Sequence, residues 1–383
     1  MRRILIVTGI FPPDIGGPAT YCEITAGALS GRGFKVHVIT YTSKRISKEN
    51  HPFKIERVSK RWPWFLRHLI YFFKVFFNAP KNDLVYSLST LNGGISSLIA
   101  AKIFRKKFYI RIVGDYAWQV AMEKGRTDIL IDDFQTAKKT GWVGFLFWLQ
   151  GLLCRKADQI IVPSEYLKTI VMGWGVKESK IKVIYNSVNF KPLDISRQDA
   201  RNKIGIHGNI VVSIGRLVPW KGFRMLIKIM PQLLALNQFF RLIIIGDGPE
   251  KKNLEVIVKN LSLDKKVFLV GKKSKADLAL YLAASDMFIL NSGYEGFSHQ
   301  ILEAMAAGVP VVASAILGNR EIINQGENGF LVKYNDEFNL IEAIKSLIQN
   351  PDIAEQLVEG GKRTVEKFSS DRMIDETSSL LSQ

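Results

Sequence analysis

The chain has 383 residues, 47% of them hydrophobic, which is too long for one ordinary core and supplies enough apolar material for two. Only Cys22 and Cys154 are present, without companion Cys or His at ligand spacing, which argues against a disulfide framework and a zinc site and points to an intracellular setting. The formal charge is +18, and residues 1–190 hold 29 Lys or Arg against 13 Asp or Glu, so an anionic partner would meet the first half.

Arg2-Arg3 followed by Ile4 to Val7 is too short an apolar run for a secretory leader, and no small-residue cleavage site follows. It reads as a first strand, within 3–8. Pro12-Pro13-Asp14-Ile15-Gly16-Gly17-Pro18 then forms a glycine-bearing loop. Further strands are expected near 35–41, 83–88, 107–113, 158–162 and 181–185, with helices between them.

Two aromatic segments stand out in this half. Arg61 to Phe77 mixes bulky aromatics with spaced cations, the composition of a helix lying on a membrane surface; a helix packed on a sheet would also meet it. Trp142 to Leu153 is expected to be a core helix. No run reaches the roughly 18 uninterrupted apolar residues of a membrane span. After the strand Phe108 to Val113 comes Gly114-Asp115-Tyr116-Ala117-Trp118, where Asp115 is either a reacting polar group or a helix N-cap.

The polar stretch Lys191 to Asn209, with Pro192 and Gly205, reads as a linker. A second series of strands follows at 209–214, 240–245, 266–270, 286–290 and 309–313, and Lys362 to Gln383 is expected to include a terminal helix. Alternation of this kind predicts an α/β chain with parallel sheets covered by helices on both faces. No Gly-x-Gly-x-x-Gly fingerprint is present, which weakens a dinucleotide-dependent reading. Basic patches with aromatics could also hold nucleic acid, but no helix-turn-helix, ribonucleoprotein motif or zinc finger supports that.

Two motifs carry chemistry. In Asn291-Ser292-Gly293-Tyr294-Glu295-Gly296-Phe297-Ser298, followed by His299 to Met305, a strand passes through a loop into a helix, with Glu295 in the loop and Glu303 in the helix. A helix starting near Ser298 offers free N–H groups and a positive dipole end to a diphosphate. Glu303 lies five residues further in, roughly 7 Å along the axis. The two acids can therefore bond hydroxyls on either side of a diphosphate, as a sugar and a ribose flank it in a nucleotide sugar.

The other motif is Gly215-Arg216-Leu217-Val218-Pro219-Trp220-Lys221-Gly222, between a strand and a helix. Open parallel sheets bind ligands beyond the carboxyl ends of their strands, so Arg216 and Lys221 can converge on the same diphosphate. An Arg fork and a Lys point charge would neutralise it. Either motif alone also fits ordinary solvated loop residues. Together they favour the functional reading.

With both motifs in view the chain resembles glycosyltransferase family 4, the glycosyl transferases group 1, retaining enzymes of the GT-B fold. The likeness extends to Val162-Pro163-Ser164-Glu165, Tyr185-Asn186-Ser187-Val188 and Gly246-Asp247-Gly248-Pro249, and so covers nearly the whole chain. The resemblance implies two Rossmann-like doubly wound parallel-sheet domains facing each other across a cleft. Residues 1–190 would bind acceptor, 191–365 would bind the nucleotide sugar, and 366–383 would form a helix crossing back to the first domain.

Carried over position by position, the resemblance makes Arg216, Lys221 and Glu295 catalytic. Asp115 joins them where many relatives have a His. It gives donor binding to Gly16, Gly17, Arg216, Lys221, Glu295, Gly296, Phe297, Ser298 and Glu303. The implied activity moves a hexose from a nucleotide-diphosphate sugar to a glycan, lipid-linked or small-molecule acceptor, retaining anomeric configuration, with no metal or other cofactor. A cytoplasmic protein, associated peripherally with the anionic inner face of a membrane through its basic first domain, is expected. The alternatives are a nonenzymatic sugar-nucleotide or polymer-binding protein, for which the missing His argues, and a sugar-nucleotide hydrolase or epimerase on the same scaffold.

Overall fold

The computed structural model describes residues 1–14, 16–43 and 50–383. The chain forms two compact units. One holds Met1–Ala121, Gln135–Tyr185 and Asp371–Gln383, and the other Met122–Phe134 and Asn186–Ser370.

The first unit is built on seven parallel strands: β1 (Arg3–Val7), β2 (Lys35–Thr42), β3 (Lys54–Ser59), β4 (Leu84–Ser87), β5 (Lys107–Arg111), β6 (Gln159–Val162) and β7 (Ile181–Val183). Their order is β3-β2-β1-β4-β5-β6-β7. Ile4, Leu5, Ile6 and Val7 are fully buried, as a strand covered on both faces requires. β3 is absent from the expected strands. Its sequence, KIERVS, places charges where a buried strand would carry apolar residues, which suits its position at the sheet edge beside β2.

On one face of this sheet the helix Gly17–Gly31 shares a core with the C-terminal helix Ser370–Ser382: Phe11, Tyr21, Cys22 and Leu29 pack in one cluster with Met373 and Leu381. Lys107 Nζ also donates to the carbonyl of Gln383 at 2.7 Å. The run Trp142 to Leu153, expected as core, is core on one side only. Within the helix Gly141–Lys156, Leu146 and Leu153 are buried while Trp142, Phe145 and Trp148 face solvent.

The second unit is built on six parallel strands: β8 (Asn209–Ile214), β9 (Phe240–Ile245), β10 (Val267–Leu269), β11 (Met287–Leu290), β12 (Val311–Ser314) and β13 (Phe330–Val332), in the order β10-β9-β8-β11-β12-β13. Ile244, Ile289, Leu226 and Ile344 belong to its apolar core. β13, three residues at the edge, was not among the expected strands.

The stretch 191–209 is not simply a linker, because it contains the helix Arg197–Ile204. Ser196 caps that helix by accepting from the Asp199 N–H at 3.0 Å, and Gly205 ends it in the left-handed region at φ 69°. Ala200 is its only buried residue, and Arg201 ties it to Asp286 at 2.6 Å. A helix held by ion pairs rather than an apolar stripe carries little sequence signal.

In each sheet the strand order reverses once, between β1 and β4 in the first and between β8 and β11 in the second. Such a point leaves the loops beyond two adjacent strands free to diverge around a ligand.

Candidate active site

Both expected motifs of the second unit leave its switch point, one after β8 and one after β11. The β8 loop is clamped from two directions. The Gly246-Asp247-Gly248 turn presses on it from β9: a Cβ on Gly246 would lie 1.8 Å from the Gly215 carbonyl oxygen, and Leu217 N–H donates to the Asp247 carbonyl at 3.1 Å. On the other flank Gly222, at φ 63°, touches Asn291, where a Cβ would come within 1.9 Å of its carbonyl oxygen. Only glycine combines that conformation with that approach.

Asn291 is the joint of the site. Its side chain donates to the Gly222 carbonyl at 3.3 Å and to Asn335 Oδ1 at 2.9 Å, and accepts from the Asn335 N–H at 3.0 Å. Gly293 N–H donates to the Trp220 carbonyl at 2.7 Å. These bonds align the single 3-10 turn Pro219–Lys221 with the β11 loop.

The result is an ion pair between Lys221 Nζ and Glu295 Oε1 at 2.5 Å, with side chains only 12% and 10% exposed. Arg216 is held elsewhere. Its guanidinium forks onto the Glu123 carboxylate at 2.5 and 3.0 Å, and more than half of its side chain is exposed. Glu123 belongs to the segment Met122–Phe134, and Leu130 of that segment packs against Gly293. No sequence signal marked Glu123, because the pairing spans 93 positions.

The β11 loop is pinned from behind. Ser314 accepts from Ser292 N–H at 3.1 Å and donates to its carbonyl at 2.5 Å, while Gly318 lies so close that a Cβ would be 2.0 Å from the Glu295 carbonyl oxygen. Gly296, Phe297 and Ser298 follow, all buried, and Ser298 caps the helix His299–Ala306 by accepting from Ile301 N–H at 3.4 Å. No acidic residue occupies the first turn of that helix, so its positive end is unshielded.

Glu303 is half-buried further along the helix, with no hydrogen bond or ion pair to its carboxylate among the described residues. Burial pushes its pKa up to about 7, against a smaller opposing pull from Lys275. Such a group is open to hydroxyl donors from a ligand.

In the first unit, Gly16 and Gly17 sit where the loop after β1 enters the helix Gly17–Gly31. Arg57 Nη2 donates to the Pro12 carbonyl at 2.7 Å and Lys60 pairs with Asp14 at 2.7 Å, anchoring that loop. Ile15 lies outside the described residues.

Asp115 is fully buried. It accepts from Trp118 N–H at 3.0 Å, Gln150 Nε2 at 2.8 Å and Gln135 Nε2 at 2.9 Å. The bond from Trp118 N–H is the capping geometry of the helix Tyr116–Glu123. Burial pushes its pKa up, while its donors pull the other way. Asp115→Ala would strand those donors and should lower unfolding stability by about 3 kcal/mol in a urea titration. A wild-type midpoint would show the cap to be dispensable.

Parallel sheets of seven and six strands, the second with a cation–carboxylate pair and an unshielded helix end at its switch point, are what a GT-B transferase requires. Comparison with known proteins agrees. Residues 15–191 match Glycosyltransferase Family 4 and residues 195–364 match Glycosyl transferases group 1. The chain is 27% identical to an uncharacterized glycosyltransferase of Methanocaldococcus jannaschii, over 98% of this chain and 96% of that one. It is also 27% identical, over 58% of its length and 59% of the other's, to the N-acetylgalactosamine-N,N'-diacetylbacillosaminyl-diphospho-undecaprenol 4-alpha-N-acetylgalactosaminyltransferase of Campylobacter jejuni. The structure of Anabaena HepE in complex with UDP and glucose superposes over the full length of both chains, with a TM-score of 0.79 at 22% identity. The chain belongs to glycosyltransferase family 4, the group 1 glycosyltransferases, and transfers a sugar from a nucleotide sugar.

Proposed function

We propose that this enzyme moves a hexose from a nucleoside diphosphate sugar to a glycan, lipid-linked or small-molecule hydroxyl acceptor, retaining the anomeric configuration and using no metal. The observation that carries the reading is the nearly buried Lys221–Glu295 pair beside the unshielded N-terminus of the helix His299–Ala306. In this reading the diphosphate takes over Lys221 and Arg216 from their carboxylate partners and accepts from the N–H groups of Gly296 to Ser298. Glu295 turns to donor-sugar hydroxyls and Glu303 to the ribose.

The chemistry follows from those positions. The bond from the anomeric carbon to the diphosphate oxygen breaks as the acceptor oxygen bonds that carbon on the same face. The acceptor proton passes to the departing diphosphate. Lys221, Arg216 and the helix end stabilise the charge that develops there, which is electrostatic catalysis and calls for no covalent nucleophile. Asp115, enclosed by its donors, serves to hold the helix Tyr116–Glu123 in place.

A panel of uridine, guanosine and adenosine diphosphate sugars tests the reading by thermal shift, followed by anomeric analysis of the product. The HepE structure contains UDP and glucose, so UDP-glucose is tried first; the undecaprenol in the Campylobacter enzyme's name is a reason to try lipid-linked acceptors beside free glycans. One donor at 100 times its Kd should stabilise the protein by about 2.7 kcal/mol. No stabilisation by any member, or a product of inverted configuration, would overturn the proposal. Donor turnover without an acceptor would instead indicate a hydrolase or epimerase.

A further inference from the structure

Three neighbouring helices of the first unit turn apolar side chains to solvent. They are Trp64–Asn78, Gly94–Ile103 and Gly141–Lys156, which lie on the connections into β4, β5 and β6. Right-handed crossovers place all three on one face of the sheet. The middle helix packs against both others, and Phe76 of the first meets Phe104, just past the second, with ring centroids 4.9 Å apart.

The exposure is periodic. On the first helix exposed apolar residues recur every four positions from Phe65 to Phe77, on the second every four from Ile95 to Ile103, and on the third every three from Trp142 to Trp148. Trp64 is 70% exposed and Trp148 53%. A helix on a water-facing surface ordinarily turns polar residues outward, so an exposed apolar face shared by three helices marks a binding surface.

The charge of the same surface says what covers it. None of the three helices contains an Asp or Glu, and of the cations they hold, Lys74 pairs with Glu56, Lys102 with Asp158 and Arg155 donates to the Trp174 carbonyl, which leaves Arg67 and Lys156 without an ion pair among the described residues. Arg61, Arg105 and Lys138, near their ends, are exposed and have no ion-pair partner among the described residues.

We propose that this three-helix face docks on an anionic lipid bilayer. Tryptophans suit the headgroup level, and the basic rim meets anionic headgroups. A second copy of the chain is disfavoured, because two-fold pairing would set identical basic rims against each other. Among the described residues no helix is long and apolar enough to cross a membrane, so the face lies on the bilayer. This inference does not depend on the donor or acceptor proposed above.

Sedimentation of the full-length protein with phosphatidylcholine vesicles, with and without phosphatidylglycerol, tests it. The protein should pellet with the anionic vesicles, be partly released by salt, and bind neutral vesicles more weakly. Joint replacement Trp64→Ser, Phe65→Ser, Trp142→Ser and Trp148→Ser should cut partitioning on the order of 100-fold while circular dichroism stays unchanged. Should that variant misfold, the pair Trp64→Ser and Trp148→Ser should still reduce binding. Arg61→Glu with Lys138→Glu should remove the preference for anionic lipid. Wild-type protein left in the supernatant at low salt, or serine variants that pellet like wild type, would overturn the proposal. So would a dimer in the ultracentrifuge that the serine replacements dissolve.

Discussion

Lys221→Ala should lower transfer by about two to three orders of magnitude and destabilise the protein at the same time. The second effect follows from the ion pair: Lys221 Nζ lies 2.5 Å from Glu295 Oε1 with both side chains nearly buried. Removing the ammonium leaves a carboxylate desolvated and alone, at a cost of about 3 kcal/mol. Adding Glu295→Gln to that variant should restore much of the lost stability and none of the activity. Urea titrations of the four proteins form a double-mutant cycle that isolates the coupling. Wild-type turnover in Lys221→Ala would remove the assignment, and additive stabilities would show that the pair does not couple.

Glu303→Gln should weaken the enzyme's hold on the nucleotide and strengthen its fold. Two charge-assisted hydrogen bonds to ribose hydroxyls, at about 1.5–3 kcal/mol each, would be lost or reduced, so nucleoside diphosphate affinity should fall by at least about tenfold. The stability effect has the opposite sign. With its pKa raised to about 7, Glu303 keeps a proton in the folded state that the unfolded chain has already released. Its contribution is therefore favourable at low pH and is lost as pH rises from the unfolded value, 4.5, towards 7. Above pH 7 the ionised, half-buried carboxylate costs about 2–3 kcal/mol, which glutamine avoids. The variant should thus unfold later than wild type at pH 8 and together with it near pH 4.5. Wild-type nucleotide affinity should itself decline as pH falls below about 7. Calorimetric titration at pH 6 and 8 checks both claims; unchanged binding in the variant would contradict them.

The sequence made the fold class and the two motif loops legible for a local reason. β8 and β11 are uninterrupted apolar runs, each followed at once by loop residues with distinctive chemistry and then by a helix, so a few neighbouring residues describe each unit. What was hidden depends on distance. The Arg216–Glu123 pair joins positions 93 apart, and nothing around Glu123 marks it. β3 and β13 escaped because edge strands need not be apolar or long, and the helix Arg197–Ile204 because its only buried side chain is Ala200. Asp115 was legible as either of two things, and its three hydrogen-bond donors support the cap. The helix Gly141–Lys156 shows the opposite difficulty, since tryptophan on a water-facing side looks the same in sequence as tryptophan in a core.

Arg216 and Lys221 are each paired with a carboxylate of the protein itself. A newcomer must therefore outbid a resident anion, and a single free phosphate or sulfate, which brings no second anchoring group, has little with which to do so. A donor carrying hydroxyls for the displaced acids can exchange partners all round. On the proposed reading the two pairs would act as a threshold that favours the complete substrate over its fragments.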